Sequence, residues 1–319
     1  MANLEQTVVT TLWDQTDEIA DEVTKNNALL RKLDDNGDIR RKDLGYEIRK
    51  PILYNDTAVG GFYSGYSSFN LDSIDDLTAF RFAIKQCYEP VAMSGREKRA
   101  NEGNDMRLID LAEEKIKAAR ARLKNTVNTS LNGLGTAFGG LEFDGIRKAV
   151  STTPTSGTYG QIDRATNTFA QNVSITATLT AANIQENITE GISQVVRGDE
   201  MPDLGLMDNT SWKFLHSSLT AIQRITNSDG KMKAGGRSLF YDGVEFVLGG
   251  GYGGSGLDTN SVRLLTTKYW SFDLQRGADF KPLTPTMARP VDQDAFFTVI
   301  IVEGNLCCSA PAFQVVIAP

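Results

Sequence analysis

The chain has 319 residues, of which 40% are apolar and 23% charged, and its formal net charge is -7. Such a composition is typical of a globular protein with a sizeable core, and it excludes a wholly disordered chain. The acidic balance excludes a strongly basic surface of the kind that binds duplex DNA tightly, because that binding depends on neutralising phosphates.

The three cysteines are Cys87, Cys307 and Cys308. An odd number, with two of them adjacent in an apolar run, predicts neither a disulfide framework nor a zinc ligand set. Buried reduced thiols are expected instead, consistent with folding in a cytoplasm. No run of roughly eighteen apolar residues occurs and no basic start leads into an apolar stretch, so neither a membrane span nor an export signal is predicted.

Residues 1–44 have the pattern of an arm rather than a domain. Apolar side chains recur loosely at helical intervals from Val8 to Val23, and 34–37, Asp-Asp-Asn-Gly, is a turn signal. The segment has too few apolar residues to build a core. We therefore expect it to pack onto another body.

Two alternating stretches follow, and their period of two predicts strands. The connection between them, 55–76, is rich in Gly, Ser and Tyr, which favours a long hairpin with an extended tip. An isolated hairpin is marginally stable in water, so this one needs a neighbour. The apolar positions are Tyr46, Ile48, Ile52 and Tyr54 in the first stretch and Phe80, Phe82 and Ile84 in the second.

A long helix is predicted from 104 to about 131. It would be about 40 Å long and would end near Asn132 and Gly133. Its apolar stripe consists of Leu108, Ala112, Ile116, Ala119, Leu123, Val127 and Leu131.

The remainder, 134–319, is predicted to be mixed α/β. Two helices are expected, over 184–195 and 212–222, with Asp208 or Asn209 as the N-cap of the second. The strand candidates are Val244–Leu248, Val262–Leu265, 269–274, 295–302 and 313–317.

A search for catalytic chemistry yields weak signals. His216, the single histidine, has no nucleophile and orienting carboxylate assigned to it, and we interpret it as structural. The segment 251–256 matches G-x-G-x-x-G, but a nucleotide site would need a helix after it and a strand is expected there. We therefore predict no catalytic residue, no cofactor and no metal site.

Two charged clusters could also bind a ligand, but each has an ordinary structural explanation. The carboxylates at 199–208 could bind a cation, yet their spacing matches no calcium loop. The basic residues at 115–124 could touch nucleic acid from one helix, yet Glu113 and Glu114 lie beside them, and a solvated helix face would look the same. We expect weak contact with DNA at most.

The order of these elements resembles the Hong Kong 97-like capsid fold of tailed bacteriophages, an α+β fold. The chain is similar to major capsid proteins of that class along essentially its whole length. The resemblance is carried, in order, by NNALLRKL (26–33), GYEI (45–48), SGRE (94–97) followed by Asn101, and GIRKAV (145–150) followed by YGQIDRAT (159–166).

The resemblance implies five parts: an N-terminal arm (1–45), an extended hairpin loop and junction (46–98), the spine helix with the first part of a peripheral domain (99–171), an axial domain (172–268), and returning peripheral strands (269–319). It implies inter-subunit contacts through the hairpin and through a turn near a threefold axis. The contact residues expected on this basis are Tyr46, Ile48, Phe80, Phe82, Arg289 and Asp292.

The function implied is that of a structural protein, not an enzyme, which assembles with copies of itself into hexamers and pentamers of an icosahedral shell around a double-stranded DNA genome. The expected location is the virion, after assembly in the host bacterial cytoplasm. About 45 residues precede the hairpin, so a scaffold is expected to be a separate protein, with a portal and a decoration protein as further partners and no membrane.

Three alternatives remain open. An encapsulin-type compartment has the same fold and would enclose protein cargo. A nucleotide-binding enzyme would use the Gly-rich loop and would need a helix after Gly256. A tail tube protein would be β-rich, against which the long helix counts.

Overall fold

The computed structural model describes residues 27–54, 62, 64–66, 76–100, 105–219, 238–249, 257–283, 288–289 and 292–319. For residues 98, 100 and 105–113 it describes the backbone alone. The predicted arm pattern at 8–23, most of the hairpin tip and the Gly-rich loop at 251–256 lie outside the described residues.

The described helices and strands alternate irregularly along the chain. The helices are α1 (Ala28–Asp35), α2 (Gly95–Ala100), α3 (Asp105–Asn132), α4 (Ala137–Gly140), α5 (Ile146–Ala149), α6 (Ile184–Val195) and α7 (Asn209–Ser218). The strands are β1 (Ile39–Lys42), β2 (Glu47–Leu53), β3 (Leu77–Ala83), β4 (Lys85–Ser94), β5 (Thr158–Tyr159), β6 (Ile162–Asp163), β7 (Val173–Thr176), β8 (Leu204–Met207), β9 (Ser238–Tyr241), β10 (Val244–Leu248), β11 (Val262–Leu265), β12 (Trp270–Pro282), β13 (Ala295–Cys308) and β14 (Val315–Ala318). Short 3-10 turns cover Thr168–Ala170, Thr267–Tyr269 and Pro311–Phe313.

The predicted long helix is confirmed as α3, which runs from Asp105 to Asn132. From Ile116 to Leu131 its apolar stripe is fully buried, as a period of three or four residues requires for one face of a helix. This stripe packs on β4 and contributes to the first of two hydrophobic cores.

A four-stranded sheet lies against α3, in the order β1-β12-β13-β4. Strands β12 and β13 are antiparallel and have 13 and 14 residues, longer than the predicted stretches. An irregularity between Leu274 and Asp279 lets β12 continue past an exposed polar segment that interrupts the apolar alternation. The separate strand β4 was missed, since its pairing partner β13 lies more than 200 residues away along the chain.

A six-stranded sheet has the order β7-β14-β11-β8-β10-β9. Its central strands β14, β11 and β8 are buried on both faces, whereas the edge strands β7 and β9 are partly exposed. In β14, Val315 and Ile317 point into the second core beneath α6 and α7, whereas Val316 and Ala318 point into the first core. Because successive side chains of a strand point to opposite faces, one sheet joins the two cores. A Cβ at Gly205 would lie 2.2 Å from the ring of Phe246, so this strand position requires glycine.

Helix α7 begins with an N-cap at Asp208, one of the two predicted positions. Its carboxylate accepts hydrogen bonds at 3.0 Å from the backbone N–H groups of Thr210 and Ser211. The helix ends at Ser218, four residues before the predicted end, and the cap residue Leu219 is in extended conformation. Burial opposes ionisation of Asp208, but the hydrogen bonds from Ser211 and Thr210 outweigh it and lower the pKa of the carboxyl group.

We expect Asp208→Ala to lower the free energy of unfolding by about 1–2 kcal/mol at neutral pH, the usual effect of removing a helix N-cap. The pKa is lowered in the folded state, so the stabilisation is present above the unfolded-state pKa and is lost as the pH falls through the folded-state pKa. Urea titrations of both proteins from neutral to acid pH measure this. A difference that grows on acidification would contradict the assignment.

Candidate assembly surfaces

The base of the hairpin, strands β2 and β3, packs on the chain's own body. Their seven paired positions run from Glu47 opposite Ala83 to Leu53 opposite Leu77. One side of this ribbon, here called the inner face, contains Ile48, Lys50, Ile52, Thr78, Phe80 and Phe82. Ile48 is 5% exposed, Phe80 0% and Phe82 1%, and all three belong to the first core.

This burial bears on the expectation that Ile48, Phe80 and Phe82 contact a neighbouring subunit. Alternation identified these residues as sharing a face, but the body that covers the face is part of the same chain. In the isolated chain their side chains have almost no accessible surface left to bury on a neighbour, and their inter-subunit contacts stay a prediction. Tyr46, by contrast, is fully exposed just before β2 and stays a predicted contact.

An aromatic cluster holds the inner face in place. The Tyr159 ring lies 5.7 Å from that of Phe80 and 5.3 Å from that of Phe82, both suitable for edge-type packing. The hydroxyl oxygen of Tyr159 accepts a hydrogen bond from the backbone N–H of Cys308 at 2.9 Å. Burial raises the pKa of Tyr159 well above its ordinary value, so this side chain remains a neutral part of the core.

A buried ion pair anchors the same face. Lys50 on β2 lies 2.5 Å from a carboxylate oxygen of Asp273 on β12, and their side chains are 14% and 3% exposed. The other carboxylate oxygen of Asp273 has no hydrogen-bond partner within the described residues. Nothing local in the sequence connects these two residues, which are 223 positions apart, so their pairing could not be predicted. Tertiary contacts bring Lys50 and Asp273 together.

The opposite side of the ribbon, here called the outer face, is exposed. It contains Arg49, Pro51, Leu53, Leu77, Ala79 and Arg81. Leu53 and Leu77 are paired with each other and are 64% and 65% exposed. Farther along, at the described part of the tip, Phe62 and Tyr66 are fully exposed. Apolar residues that are exposed together on one face are a common feature of interaction surfaces.

The four-stranded sheet also has a face that the described residues leave uncovered. Alternate residues of β4 and β13 point away from α3, and this free face contains Gln86, Tyr88, Pro90, Val299, Ile301 and Glu303. Tyr88 is 69% exposed and lies directly opposite Ile301. Neither of them belongs to either core.

The predicted threefold turn, at 288–292, lies at one end of this sheet. Arg289 and Arg99 both contact the carboxylate of Asp294, at 3.4 and 2.6 Å. The hydrogen bond from Arg99 lowers the pKa of Asp294, and the charges of Arg99 and Arg289 act in the same direction. Through Asp294 the turn is linked to Arg99 of α2, and the side chain of Asp292 is exposed beside it. Contacts of Arg289 and Asp292 with another subunit stay predictions.

Comparisons with solved structures identify the fold of the chain. No protein-family model and no curated protein matches the chain. Among solved structures, the capsid asymmetric unit of cyanophage A-1(L) is similar, with a TM-score of 0.60 at 13% identity over 88% of this chain and 90% of that one. The capsid of the native GTA particle has a TM-score of 0.58 at 9% identity, over 88% of both chains. The chain has the Hong Kong 97-like capsid fold.

An encapsulin also has this capsid fold. The holo-SrpI encapsulin complex of Synechococcus elongatus PCC 7942 has a TM-score of 0.52 at 8% identity over 90% of this chain and 86% of that one. Within the fold, α3 is the spine helix and the β2–β3 ribbon is the base of the extended hairpin.

The residues considered for chemistry have structural partners in this capsid fold. Glu200 accepts hydrogen bonds from Lys268 and Tyr269, which lower the pKa of its carboxyl group. Burial, together with that hydrogen bond, raises the pKa of Tyr269 to about 12. Asp203 accepts hydrogen bonds from Thr267, at 2.6 and 2.8 Å. We therefore interpret Glu200 and Asp203 of the acidic segment as acceptors of structural hydrogen bonds within the chain.

The Gly-rich loop, His216 and the cysteines were the remaining candidates for chemistry. After the Gly-rich loop the chain enters strand β11, so the helix that a pyrophosphate site requires is not there. His216 lies in the last turn of α7, and within the described part of the chain no three His, Cys, Asp or Glu side chains cluster as metal ligands. Burial raises the pKa of Cys308 to about 12 and that of Cys87 to about 11, so both thiols stay protonated. No helix among the described residues is long and apolar enough to cross a bilayer.

Proposed function

We propose that this chain is the major capsid protein of a tailed bacteriophage, which assembles with copies of itself into hexamers and pentamers of an icosahedral shell around double-stranded DNA. The observation that carries the proposal is the Hong Kong 97-like fold, matched over 88% of the chain by a phage capsid subunit. The exposed outer face of the hairpin and the free face of the sheet support it, because a shell subunit needs such surfaces.

The proposed assignment of residues to parts of the subunit follows the five parts expected from the sequence. Residues 99–171 and 269–319 would form the peripheral domain, 172–268 the axial domain, 46–98 the hairpin and junction, and 1–45 the arm. The two hydrophobic cores support a division into a peripheral and an axial part, since α3 contributes to the first core and α6 and α7 to the second.

The role is structural rather than catalytic, and the location is the virion after assembly in the bacterial cytoplasm. The partners would be other copies of the chain, a separate scaffold protein, a portal and a decoration protein. Contact with packaged DNA would be weak, since the net charge of -7 repels a polyanion.

An encapsulin-type compartment is the second candidate, and the likeness to the SrpI shell favours it. The two functions differ in contents: a phage shell holds DNA, whereas a compartment holds protein cargo. The contents of particles isolated from the native source distinguish the two functions. Nuclease-protected DNA inside supports the phage, and protein cargo without DNA supports the compartment.

Electron microscopy of the purified protein tests self-assembly. We expect negative-stain images, recorded after size exclusion at several concentrations, to contain closed shells or rings of five and six subunits. A monodisperse monomer at every concentration, with and without the proteins co-expressed from its native gene cluster, would contradict the proposed function.

A further inference from the structure

The loop that follows α3 exposes a group of apolar side chains. It spans 133–141, and its side chains Leu134, Phe138 and Leu141 are 44%, 79% and 69% exposed. None of the three belongs to either core. The loop sequence contains no charged residue. Apolar residues that are exposed together on one segment are typical of a binding surface.

The backbone holds Phe138 in a conformation that bulky residues rarely adopt. Phe138 has φ 52° and ψ 37°, and Gly139 has φ 69° and ψ 25°, so the centre of α4 is a left-handed turn. For an aromatic residue this conformation costs free energy, because its Cβ comes too close to the following carbonyl oxygen. The exposed ring makes no contact with another described aromatic ring that would offset this cost. Strained residues of this kind occur preferentially at functional sites.

Hydrogen bonds fix the base of the loop. The ammonium group of Lys85 on β4 donates to the carbonyl of Gly140, and the backbone N–H of Ala137 donates to the carboxylate of Glu142 at 3.1 Å. Directly after the loop, Phe143 returns to the first core. The exposed residues are therefore presented in a fixed arrangement, and a preorganised segment loses little conformational entropy when it binds.

Charge indicates what covers the loop. Two copies of this chain, each with a net charge of -7, repel one another, so they approach at the lowest electrostatic cost through surfaces that carry no charge. The uncharged, apolar loop 133–141 meets this requirement. A nucleic acid does not fit the loop, because binding to phosphates depends on Lys and Arg side chains and the loop has none. The occupant that fits is a second copy of the chain.

We propose that the loop 133–141 is an anchor between subunits, in which the Phe138 side chain of one copy inserts into an uncharged surface of a second copy. This inference rests on the proposed function, since it takes the chain to associate with itself. Leu134 and Leu141 would be covered in the same contact. Buried aromatic anchors contribute much of the binding free energy of protein interfaces, and this contribution offsets the backbone strain at Phe138.

Two substitutions at position 138 separate binding from folding. Phe138→Gly removes the ring and suits the left-handed backbone, so we expect the thermal unfolding temperature to stay unchanged or to rise. Self-association is expected to weaken by about 30-fold, the usual effect of losing a central aromatic anchor. Phe138→Leu is the matched control, because it keeps a large apolar side chain on the same strained backbone. We expect its association to stay within about threefold of the wild type, as measured by sedimentation velocity.

Photocrosslinking identifies the occupant directly. A chain with p-benzoylphenylalanine in place of Phe138 is assembled, irradiated and run on a denaturing gel. We expect a covalent dimer, and peptide mass spectrometry of assemblies mixed from isotopically labelled and unlabelled chains should show that the link joins two copies. This measurement keeps an aromatic residue at position 138 and does not depend on the folding of Phe138→Gly.

The outcomes separate the inference from the proposed function. Phe138→Gly that associates like the wild type, Phe138→Leu that is as weak as Phe138→Gly, or assemblies that give no covalent dimer overturn the anchor and leave the proposed function standing. A crosslink to a different protein has the same meaning. A wild-type chain that stays monomeric under every condition overturns both. Weak association of Phe138→Gly with intact folding, together with a covalent dimer, supports both.

Discussion

Replacing the hairpin tip, residues 55–75, by an Asn-Gly turn is expected to yield a folded subunit that no longer closes a shell. The two ends of the deletion are already adjacent, because the backbone N–H of Tyr54 donates to the carbonyl of Asp76 at 3.0 Å. A two-residue turn of this type suits a pair of antiparallel strands. None of the described tip residues belongs to either core, so replacing them removes no contact from the two cores.

The expected loss of assembly follows from what the tip exposes. Phe62 and Tyr66 are fully exposed in the isolated chain, and apolar surface on a projecting segment is stabilising only when another body covers it. Size exclusion and negative-stain microscopy of the deletion variant measure the effect, with circular dichroism as the folding control. Normal closed shells from the deletion variant would remove the tip from the assembly mechanism.

Lys50→Met is expected to lower the free energy of unfolding by roughly 3–5 kcal/mol, because it leaves the carboxylate of Asp273 buried without a counter-ion. The Asp273 side chain is 3% exposed, and the hydroxyl of Ser271 donates a long hydrogen bond to it at 3.4 Å. Urea denaturation of purified wild type and variant measures the change. The base of the hairpin should detach before the rest of the body unfolds.

Two further variants determine whether the effect belongs to the pair. Lys50→Met combined with Asp273→Leu should recover most of the loss, since a buried ion pair exchanged for apolar residues of similar size is often neutral. Arg40→Met serves as the matched control: its partner Asp38 lies at 2.8 Å, but the Arg40 side chain is 42% exposed. Exposed pairs contribute about 0–1 kcal/mol. Equal losses in Arg40→Met and Lys50→Met would show that burial of the pair is not the cause.

The agreement between sequence and structure is best where periodicity is long and local. The stripe of α3 spans several helical turns, and its buried positions from Ile116 to Leu131 are those predicted. The N-cap at Asp208 depends on hydrogen bonds to residues two and three positions away, so it too can be recognised locally.

The hairpin shows where local patterns stop being informative. Alternation correctly placed Ile48 with Phe80 and Phe82 on one face, because side chains of a strand alternate by geometry. It could not identify the covering body, which is built around Tyr159 and β12. The exposure of the outer face could not be predicted from the sequence, because it follows from the pairing of Leu53 with Leu77 and from their accessibility in the folded chain.

The sequence by itself determined the order of the parts, the long helix and the alternation of the hairpin, since these depend on interactions between near neighbours along the chain. The tertiary structure decided which face of the hairpin is free, that β4 joins β13, and that Lys50 meets Asp273. Those features arise from contacts between residues that are far apart along the chain, whose free energies depend on burial and on the distance between the two partners.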